Sequence, residues 1–207
     1  MKKKNAPSEL VVASRNKKKV QEIKDLLKEF NLRITSLADY PKAPYIVENG
    51  KTFRENAIKK ATKIARFTNK LTLGEDSGLE VDALGGKPGI HSSRFAGKGK
   101  SDLKNNLKLL ELLGDLPQSK RKGRYVCSVA LADREGLIEA VEDYCSGVIG
   151  FKMRGSSGFG YDSLFVIPKQ KKTFAQLGLR IKHSMSHRFR ALKKAKRVIT
   201  GYIRKRF

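Results

Sequence analysis

The chain has 207 residues, of which 39% are hydrophobic and 31% charged, and its 45 Lys and Arg against 20 Asp and Glu give a formal net charge of +25. This length suits a single compact domain, so residues 1–207 are expected to form one domain, with 1–8 as a flexible basic segment. No run approaches the roughly 20 apolar residues of a membrane span, and the apolar segment 10–13 is too short for a signal peptide. We therefore expect a cytoplasmic protein without membrane contact.

Strand and helix patterns alternate in the first half of the chain. Short apolar runs predict strands at 10–13, 32–36 and 71–74. Apolar residues at helical spacing predict two helices, which present Val20, Ile23, Leu27 and Phe30, and Phe53, Ala57, Ala61 and Ile64. This alternation predicts an α/β protein.

The second half adds a hairpin and two more helices. Ser101 is a good N-cap for a helix that ends at Gly114 and should bury Leu103, Leu107 and Leu110. Two strands are predicted at 125–132 and 137–149, with a third run at 164–167. The last helix is predicted at about 186–204, with Leu192, Ala195, Ile199 and Ile203 inward. The hairpin makes the predicted sheet mixed. Its two strands contain Cys127 and Cys145, which are expected to be buried thiols.

The segment 74–86 carries four acids and four glycines in an otherwise cationic chain. Mg²⁺ prefers carboxylate oxygens and usually takes one or two of them together with phosphate and water. Asp76 and Glu48, each expected beside a strand or loop edge, could share such an ion, and Asp76 could deprotonate a water. The alternative is a strand that ends in a solvated turn with ordinary surface acids.

Three further segments carry polar side chains suited to a nucleotide. The turn at 14–19 joins the first strand to the first helix, where free backbone N–H groups could bind phosphate. The glycine-rich segment 155–162 could approach a planar ligand closely, or it could be a hairpin with aromatic packing. Lys182, His187 and Arg188 could hold phosphate or a carbonyl oxygen, although a lone histidine is usually structural.

The order of these motifs resembles one enzyme family over essentially the whole chain. The motifs are Ser14-x-Asn16-x-x-Lys19, Glu48-x-Gly50-x-Thr52-Phe53, Asp76-Ser77-Gly78-Leu79, Ser93-Arg94-Phe95-Ala96-Gly97, Gly158-Phe159-Gly160-Tyr161-Asp162 and Ser186-His187-Arg188. Together they are similar to the non-canonical purine nucleoside triphosphate pyrophosphatases, the ITPase or XTP/dITP diphosphatase family. The resemblance implies hydrolysis of ITP, dITP and XTP to the monophosphate and pyrophosphate, a Mg²⁺ requirement and a homodimer. It also implies a long central mixed sheet with two α/β lobes and a cleft between them.

The resemblance assigns a role to each site residue. Glu48 and Asp76 would hold the metal, with Asp76 also the base, and Ser77 would touch the substrate. The triphosphate would contact the first motif, and the base would contact the last two motifs and Lys182. The phosphate set is Ser14, Arg15, Asn16, Lys17, Lys18 and Lys19, and the set around the base is Phe159, Gly160, Tyr161, Asp162, Lys182, His187 and Arg188.

Four positions depart from the family pattern, and the charge suggests a second hypothesis. Arg15, Glu75, Ser163 and Ile181 stand where the family usually has Gly, Asp, Pro and an acid. Residues 152–207 hold sixteen Lys or Arg and one acid, which would attract polyanions. A basic nucleic-acid-binding protein is therefore the alternative function, and non-specific nucleic-acid contact through the basic C-terminal region is compatible with either.

Overall fold

The computed structural model describes residues 8–30, 32–99 and 101–206. The strands are β1 Ser8–Val12, β2 Leu32–Ser36, β3 Leu71–Val81, β4 Lys122–Asp133, β5 Gly136–Ile149, β6 Phe165–Ile167 and β7 Lys172–Thr173. The helices are α1 Lys17–Leu27, α2 Phe53–Thr68, α3 Asp102–Leu113, α4 Phe174–Met185 and α5 His187–Arg206. Of the proposed flexible segment, residues 1–7 lie outside the described residues, whereas Ser8 begins β1.

The seven strands form one mixed sheet, as predicted, in the order β2-β1-β3-β4-β5-β6-β7. β1 pairs in parallel with β2 and β3, and its Leu10 lies opposite Ile34 and Leu71. β6 pairs antiparallel with β5 and β7. Helices α1 and α2 connect the three parallel strands, which is the connection that parallel pairing requires.

The chain divides into two compact units. Unit 1 comprises the chain through Asp76, Ser128–Glu142 and the chain from Ala191, and unit 2 comprises Ser77–Cys127 and Asp143–Arg190. In unit 1, three alanines of α2 pack against three alanines of the sheet, and the residues are Ala57, Ala61, Ala65, Ala130, Ala132 and Ala140. Gly74 of β3 belongs to the same close contact, because an added Cβ would lie 2.2 Å from the carbonyl oxygen of Ala57.

The core of unit 2 is built on aromatic rings. Tyr125, Phe165 and Phe174 pack in one cluster, with Phe165 and Phe174 5.3 Å apart between ring centroids. Both cysteines are buried thiols, as predicted. Across the described residues, none of the helices is both long and apolar enough to span a bilayer.

Most predicted elements are confirmed, and β3 is longer than predicted. The strand predicted at 71–74 continues through the acidic segment to Val81, so the alternative of a solvated turn is wrong. α1 ends at Leu27, so Phe30 is not part of its apolar face. In α5, Leu192, Ala195 and Ile199 are buried as predicted, whereas Ile203 is half-buried.

The predicted inward face of α3 is wrong. Leu103 and Leu107 are 56% and 50% exposed, and the helix instead buries two asparagines beside Leu109 and Leu113. Asn105 accepts from the amide of Ala96 at 2.8 Å, and Asn106 donates to the carbonyl of Gly160 at 2.8 Å. Hydrogen bonds to loop backbone thus orient this helix. The spacing of its apolar residues does not reveal that orientation.

Candidate active site

Asp76 and Glu75 lie inside β3, not at a loop edge as expected. Both side chains are buried, with relative exposures of 6% and 3%. A carboxylate removed from water needs charged or hydrogen-bonding partners. Unit 1 supplies them from α1 and α2.

Lys60 of α2 links the acids of unit 1. Its Nζ lies 2.9 Å from Asp76 Oδ1 and 3.1 Å from Glu48 Oε1, and it donates to the carbonyl of Glu75 at 3.1 Å. Lys19 Nζ lies 2.9 Å from Glu75 Oε2. We call these five residues the carboxylate cluster. Glu48 and Asp76, which are 28 positions apart in the chain, therefore meet at one ammonium group.

Lys60 was not among the predicted site residues, although its position carried a signal. It falls among Ala57, Ala61 and Ile64, the residues that bury the apolar face of α2. A lysine on a buried helical face needs an anionic partner. That requirement could have paired it with the acids of β3.

Asn56 supports the same carboxylate from the other side. Its Nδ2 donates to Asp76 Oδ2 at 3.2 Å, and its Oδ1 accepts from the amide of Gly50 at 2.8 Å. A Cβ at Gly50 would lie 2.7 Å from that amide oxygen. The Glu48-Asn49-Gly50 turn is thus held against α2, which positions Glu48 at the cluster.

Burial and charge pull the pKa of Asp76 in opposite directions. Burial raises the pKa, and the charges of Lys60 and Lys19 oppose that rise without cancelling it. For Lys60, burial alone would lower the pKa, but the attraction of Asp76 and Glu48 outweighs it and the pKa is raised. The pair is therefore held ionised by its mutual attraction while Asp76 keeps a higher proton affinity than an exposed aspartate.

The turn at 14–19 differs from the expected set of free donors. Asn16 caps α1, and its Oδ1 accepts from the amides of Lys18 and Lys19 at 3.1 and 3.2 Å. Its own amide donates to Ser14 Oγ at 3.1 Å. Two of the helix N-terminal N–H groups are therefore satisfied internally, while Lys17 and Lys18 expose their side chains.

Arg15, one of the departures from the family pattern, points to a neighbouring loop. Its guanidinium donates to the carbonyls of Leu37 and Ala43, at 3.3 and 3.4 Å. In this position it neither crowds the turn nor adds a donor to it. The expected phosphate contact from Arg15 has no support in this arrangement.

The second group of predicted residues lies in unit 2, around Asp162. Asp162 Oδ2 accepts from Lys182 Nζ at 2.7 Å and from the amide of Phe159 at 2.9 Å. The ring of Phe159 carries Lys182 Nζ at 4.7 Å and the Arg188 guanidinium at 5.6 Å from its centroid. We call Phe159, Asp162, Lys182, His187 and Arg188 the aromatic–cation cluster.

Lys182 lies in α4, a helix that the sequence analysis missed. Gly178 interrupts that helix with φ of 75°, so no continuous apolar spacing marks it. Lys182 is preceded by Ile181 rather than by the usual acid, and its ammonium is oriented instead by Asp162. The departure at Ile181 therefore leaves Lys182 with a buried carboxylate partner.

The glycine-rich segment is held by side chains from other elements and does not form a hairpin. Gly160 donates its amide to Asp102 Oδ2 at 2.8 Å, and Tyr161 donates its amide to the hydroxyl of Tyr125 at 3.0 Å. Gly158 has φ of +84°, and an added Cβ would lie 2.1 Å from Asp162 Oδ2. Only glycine fits this turn against the carboxylate.

The start of α5 completes the aromatic–cation cluster. The ring of His187 stacks on Tyr125, with centroids 4.6 Å apart and planes at 9°. Arg188, which is buried, donates to Ser77 Oγ at 3.1 Å. Burial raises the pKa of Tyr125, which keeps its hydroxyl neutral under His187. Arg188 thus links Ser77 to the ring of Phe159, while His187 packs on Tyr125.

The carboxylate cluster has the donor chemistry for one divalent cation. Within the described residues, no group of three or more His, Cys, Asp or Glu could hold a metal. Mg²⁺ does not need such a group, because it retains waters and takes phosphate oxygens beside one or two carboxylates. Glu48 and Asp76 supply those two carboxylates at a common point, so the residues fit the ion.

Comparison with known proteins decides the family. Residues 10–198 match the Ham1 family. The chain belongs to that family. A Desulforamulus reducens protein named dITP/XTP pyrophosphatase is 48% identical over 190 residues, which cover 92% of this chain and 94% of that protein. One with the same name from Exiguobacterium sibiricum is 44% identical, over 94% of this chain and 98% of its own.

Solved structures of Ham1 proteins have the same fold. The Coxiella burnetii HAM1 protein aligns with a TM-score of 0.85 and 36% identity, over 94% of this chain and 99% of its own. The Staphylococcus aureus Ham1 protein aligns with a TM-score of 0.84, also at 36% identity, over 94% of this chain and 100% of its own. These matches confirm the predicted α/β fold and the family resemblance. Nothing in them supports a nucleic-acid-binding module as the principal function.

Proposed function

We propose that this Ham1 family member is a Mg²⁺-dependent pyrophosphatase that converts ITP, dITP and XTP to the nucleoside monophosphate and pyrophosphate. The observation that carries the proposal is the meeting of Glu48 and Asp76 at the ammonium group of Lys60. Carboxylates held beside cations suit a metal ion with a bound polyphosphate. The relatives named dITP/XTP pyrophosphatase support the substrate class.

Asp76 is the proposed general base. Hydrolysis breaks the anhydride bond between the α- and β-phosphates, and the attacking water must lose a proton. Burial raises the pKa of Asp76, which makes its carboxylate a better proton acceptor than an exposed one. Lys60 keeps the carboxylate ionised before the reaction, and Asn56 fixes its orientation through Oδ2.

Glu48 and Asp76 are the residues that would hold Mg²⁺. When bound, the ion would neutralise charge on the phosphate oxygens. Lys19 and Lys60 would add positive charge at the same place, where each already contacts an acid of the cluster. The Ser14–Lys19 turn is proposed to bind the rest of the triphosphate.

The aromatic–cation cluster is proposed to bind the base. Hypoxanthine and xanthine present a carbonyl oxygen where adenine presents an amine. Lys182 is a donor held by Asp162 beside the ring of Phe159, and it would pair with the carbonyl but not with the amine. A buried polar group left unpaired costs about 1–3 kcal/mol, which favours the oxo-purines over adenine.

The test is release of pyrophosphate from ITP, dITP, XTP and ATP, with Mg²⁺ or with EDTA. We expect turnover of the first three only, and only with Mg²⁺. Asp76→Asn should lower the rate by roughly 10²–10⁴-fold, the usual contribution of a general base. Asp115→Asn changes an exposed aspartate in the same way and should leave the rate unchanged.

Two results would defeat the proposal. Equal turnover of all four nucleotides would remove the assigned specificity, and a fully active Asp76→Asn enzyme would remove the assigned base. Thermal unfolding of both variants separates a loss of chemistry from a loss of fold. A homodimer and a cytoplasmic location are also part of the proposal; the family resemblance implies the homodimer, and the location is the expectation from the apolar runs.

A further inference from the structure

Helix α5 carries a stripe of exposed cations within unit 1. The stripe consists of Lys193, Lys194, Arg197, Arg204 and Lys205, all of which are exposed. At 3.6 residues per turn, these positions fall within an arc of roughly 120°. Residues 191–206 include no acid, so nothing on this part of the helix offsets their charge.

The opposite side of α5 fixes which way the stripe faces. Leu192, Ala195 and Ile199 are fully buried, so the helix cannot rotate without exposing its apolar side. Lys194 donates to the carbonyl of Glu142 at 2.8 Å, which anchors one member against β5. Within the described part of the chain, the other four members form no hydrogen bond or ion pair. Their charge is available to a ligand.

An open groove of about 660 Å³ lies beside the stripe, between α5 and β5. Three stripe members, Lys194, Arg197 and Lys205, line one wall. The rest of the lining is largely apolar or aromatic and consists of Ile138, Glu139, Val141, Val198, Gly201 and Tyr202. Tyr202 is fixed there, because its hydroxyl donates to Asp133 Oδ2 at 3.0 Å.

We propose that the cationic stripe and its groove bind the phosphate backbone of a single-stranded nucleic acid. The stripe runs over the thirteen residues 193–205, a rise of about 18 Å along the helix. That length exceeds a single triphosphate group and allows contact with several successive phosphates of a nucleic-acid backbone. A cationic wall beside an aromatic side chain is also the usual composition of single-strand binding grooves.

An anionic membrane fits this surface less well. Basic helices that bind membranes insert an apolar face into the lipid. The apolar face of α5 is already used in the protein core. Outside the groove, the stripe would therefore bind a ligand through charge alone. The stripe and the carboxylate cluster have no residue in common.

The test is fluorescence anisotropy with a labelled oligothymidylate, titrated between about 50 and 200 mM KCl. Each phosphate contact to a single strand contributes about −0.7 to the slope of log K against log salt, so four contacts predict a slope of about −3. The triple variant K193Q/R197Q/K205Q should flatten the slope by about 2 and weaken binding about tenfold or more. Turnover of dITP by this variant should stay unchanged, because no member of the triple belongs to the proposed catalytic residues.

A matched control separates local from overall charge. The variant K104Q/K120Q/K122Q removes three exposed cations of unit 2 and changes the net charge equally. Equal losses in both triples would overturn the proposal in favour of general electrostatics. Undetectable binding by the unaltered protein would overturn it too, as would binding only to phosphatidylserine vesicles. If the first triple unfolds at a lower temperature, the double variant K193Q/K205Q repeats the measurement with two contacts removed.

Discussion

Replacing Lys60 by methionine should destabilise the protein far more than any exposed lysine replacement. Lys60 Nζ lies within 3.1 Å of two carboxylates and one carbonyl, and its side chain is only 8% exposed. Methionine keeps most of the packing volume but leaves Asp76 buried without its nearest cation. Removing one partner of a buried ion pair costs about 3–5 kcal/mol, because the other charge stays desolvated. For a chain of this size, the melting temperature should fall by roughly 6–20 °C.

The loss should also depend on pH, with a sign that follows from the pKa of Asp76. Burial already raises that pKa, and Lys60→Met removes the main charge that opposes the rise. An acid with a raised pKa in the folded state destabilises the fold increasingly as pH rises above its unfolded value of about 3.9. The deficit of the variant should therefore be larger at about pH 8 than at about pH 5.

Thermal unfolding by circular dichroism at both pH values, without Mg²⁺, measures the effect. Lys59→Met is the matched control, since Lys59 is half-buried and its ammonium group contacts the side chain of Asn49 and, among the described residues, no carboxylate. It should change stability by less than about 0.5 kcal/mol. The reasoning fails if the two variants melt alike, or if the deficit of Lys60→Met is the same at both pH values.

Two further predictions concern packing and acid stability. Gly74→Ala should lower the free energy of unfolding by about 1–3 kcal/mol, because its Cβ would lie 2.2 Å from the backbone of α2. Gly201→Ala, whose Cβ would lie in open space on α5, should raise the free energy of unfolding by about 0.5–1 kcal/mol. Denaturant unfolding measures both values, and equal effects would contradict the close contact at Gly74. Burial would raise the pKa of Glu9, but hydrogen bonds from Lys70 and two hydroxyls lower it to about 2. Its ionised form therefore stabilises the fold above about pH 4.5, and that stability is lost as pH falls toward 2. Glu9→Gln should flatten this acid loss and the exposed Glu29→Gln should not, so a parallel response of both to acid would refute the assignment.

The sequence predicted the elements whose apolar spacing also decides their packing. The alanines of α2 and the short parallel strands belong to this class, because burial and periodicity coincide there. It failed at α3 and α4, where the deciding interactions are not apolar. Asn105 and Asn106 orient α3 by hydrogen bonding to the backbone of Ala96 and of Gly160, which is 54 positions away, and Gly178 divides the apolar spacing of α4.

The same distinction applies to the candidate site. The family resemblance selected Glu48, Asp76 and Asp162, and the structure gives each of them a lysine partner. Lys60 was missed because lysine on a helix normally indicates solvent. Its place among Ala57, Ala61 and Ile64 indicated burial, whereas the acids that pair with it come from distant segments, which no local pattern contains.

The cap of helix α1 has a consequence for any anion that arrives there. Asn16 Oδ1 already accepts hydrogen bonds from the amides of Lys18 and Lys19. An anion that binds to these two amides must therefore displace the Asn16 side chain. Such an exchange returns little net free energy from the backbone, since each hydrogen bond gained is matched by one given up. The affinity of this turn for an anion would then depend on the total charge of that anion. A nucleoside triphosphate would therefore bind more tightly there than the monophosphate product.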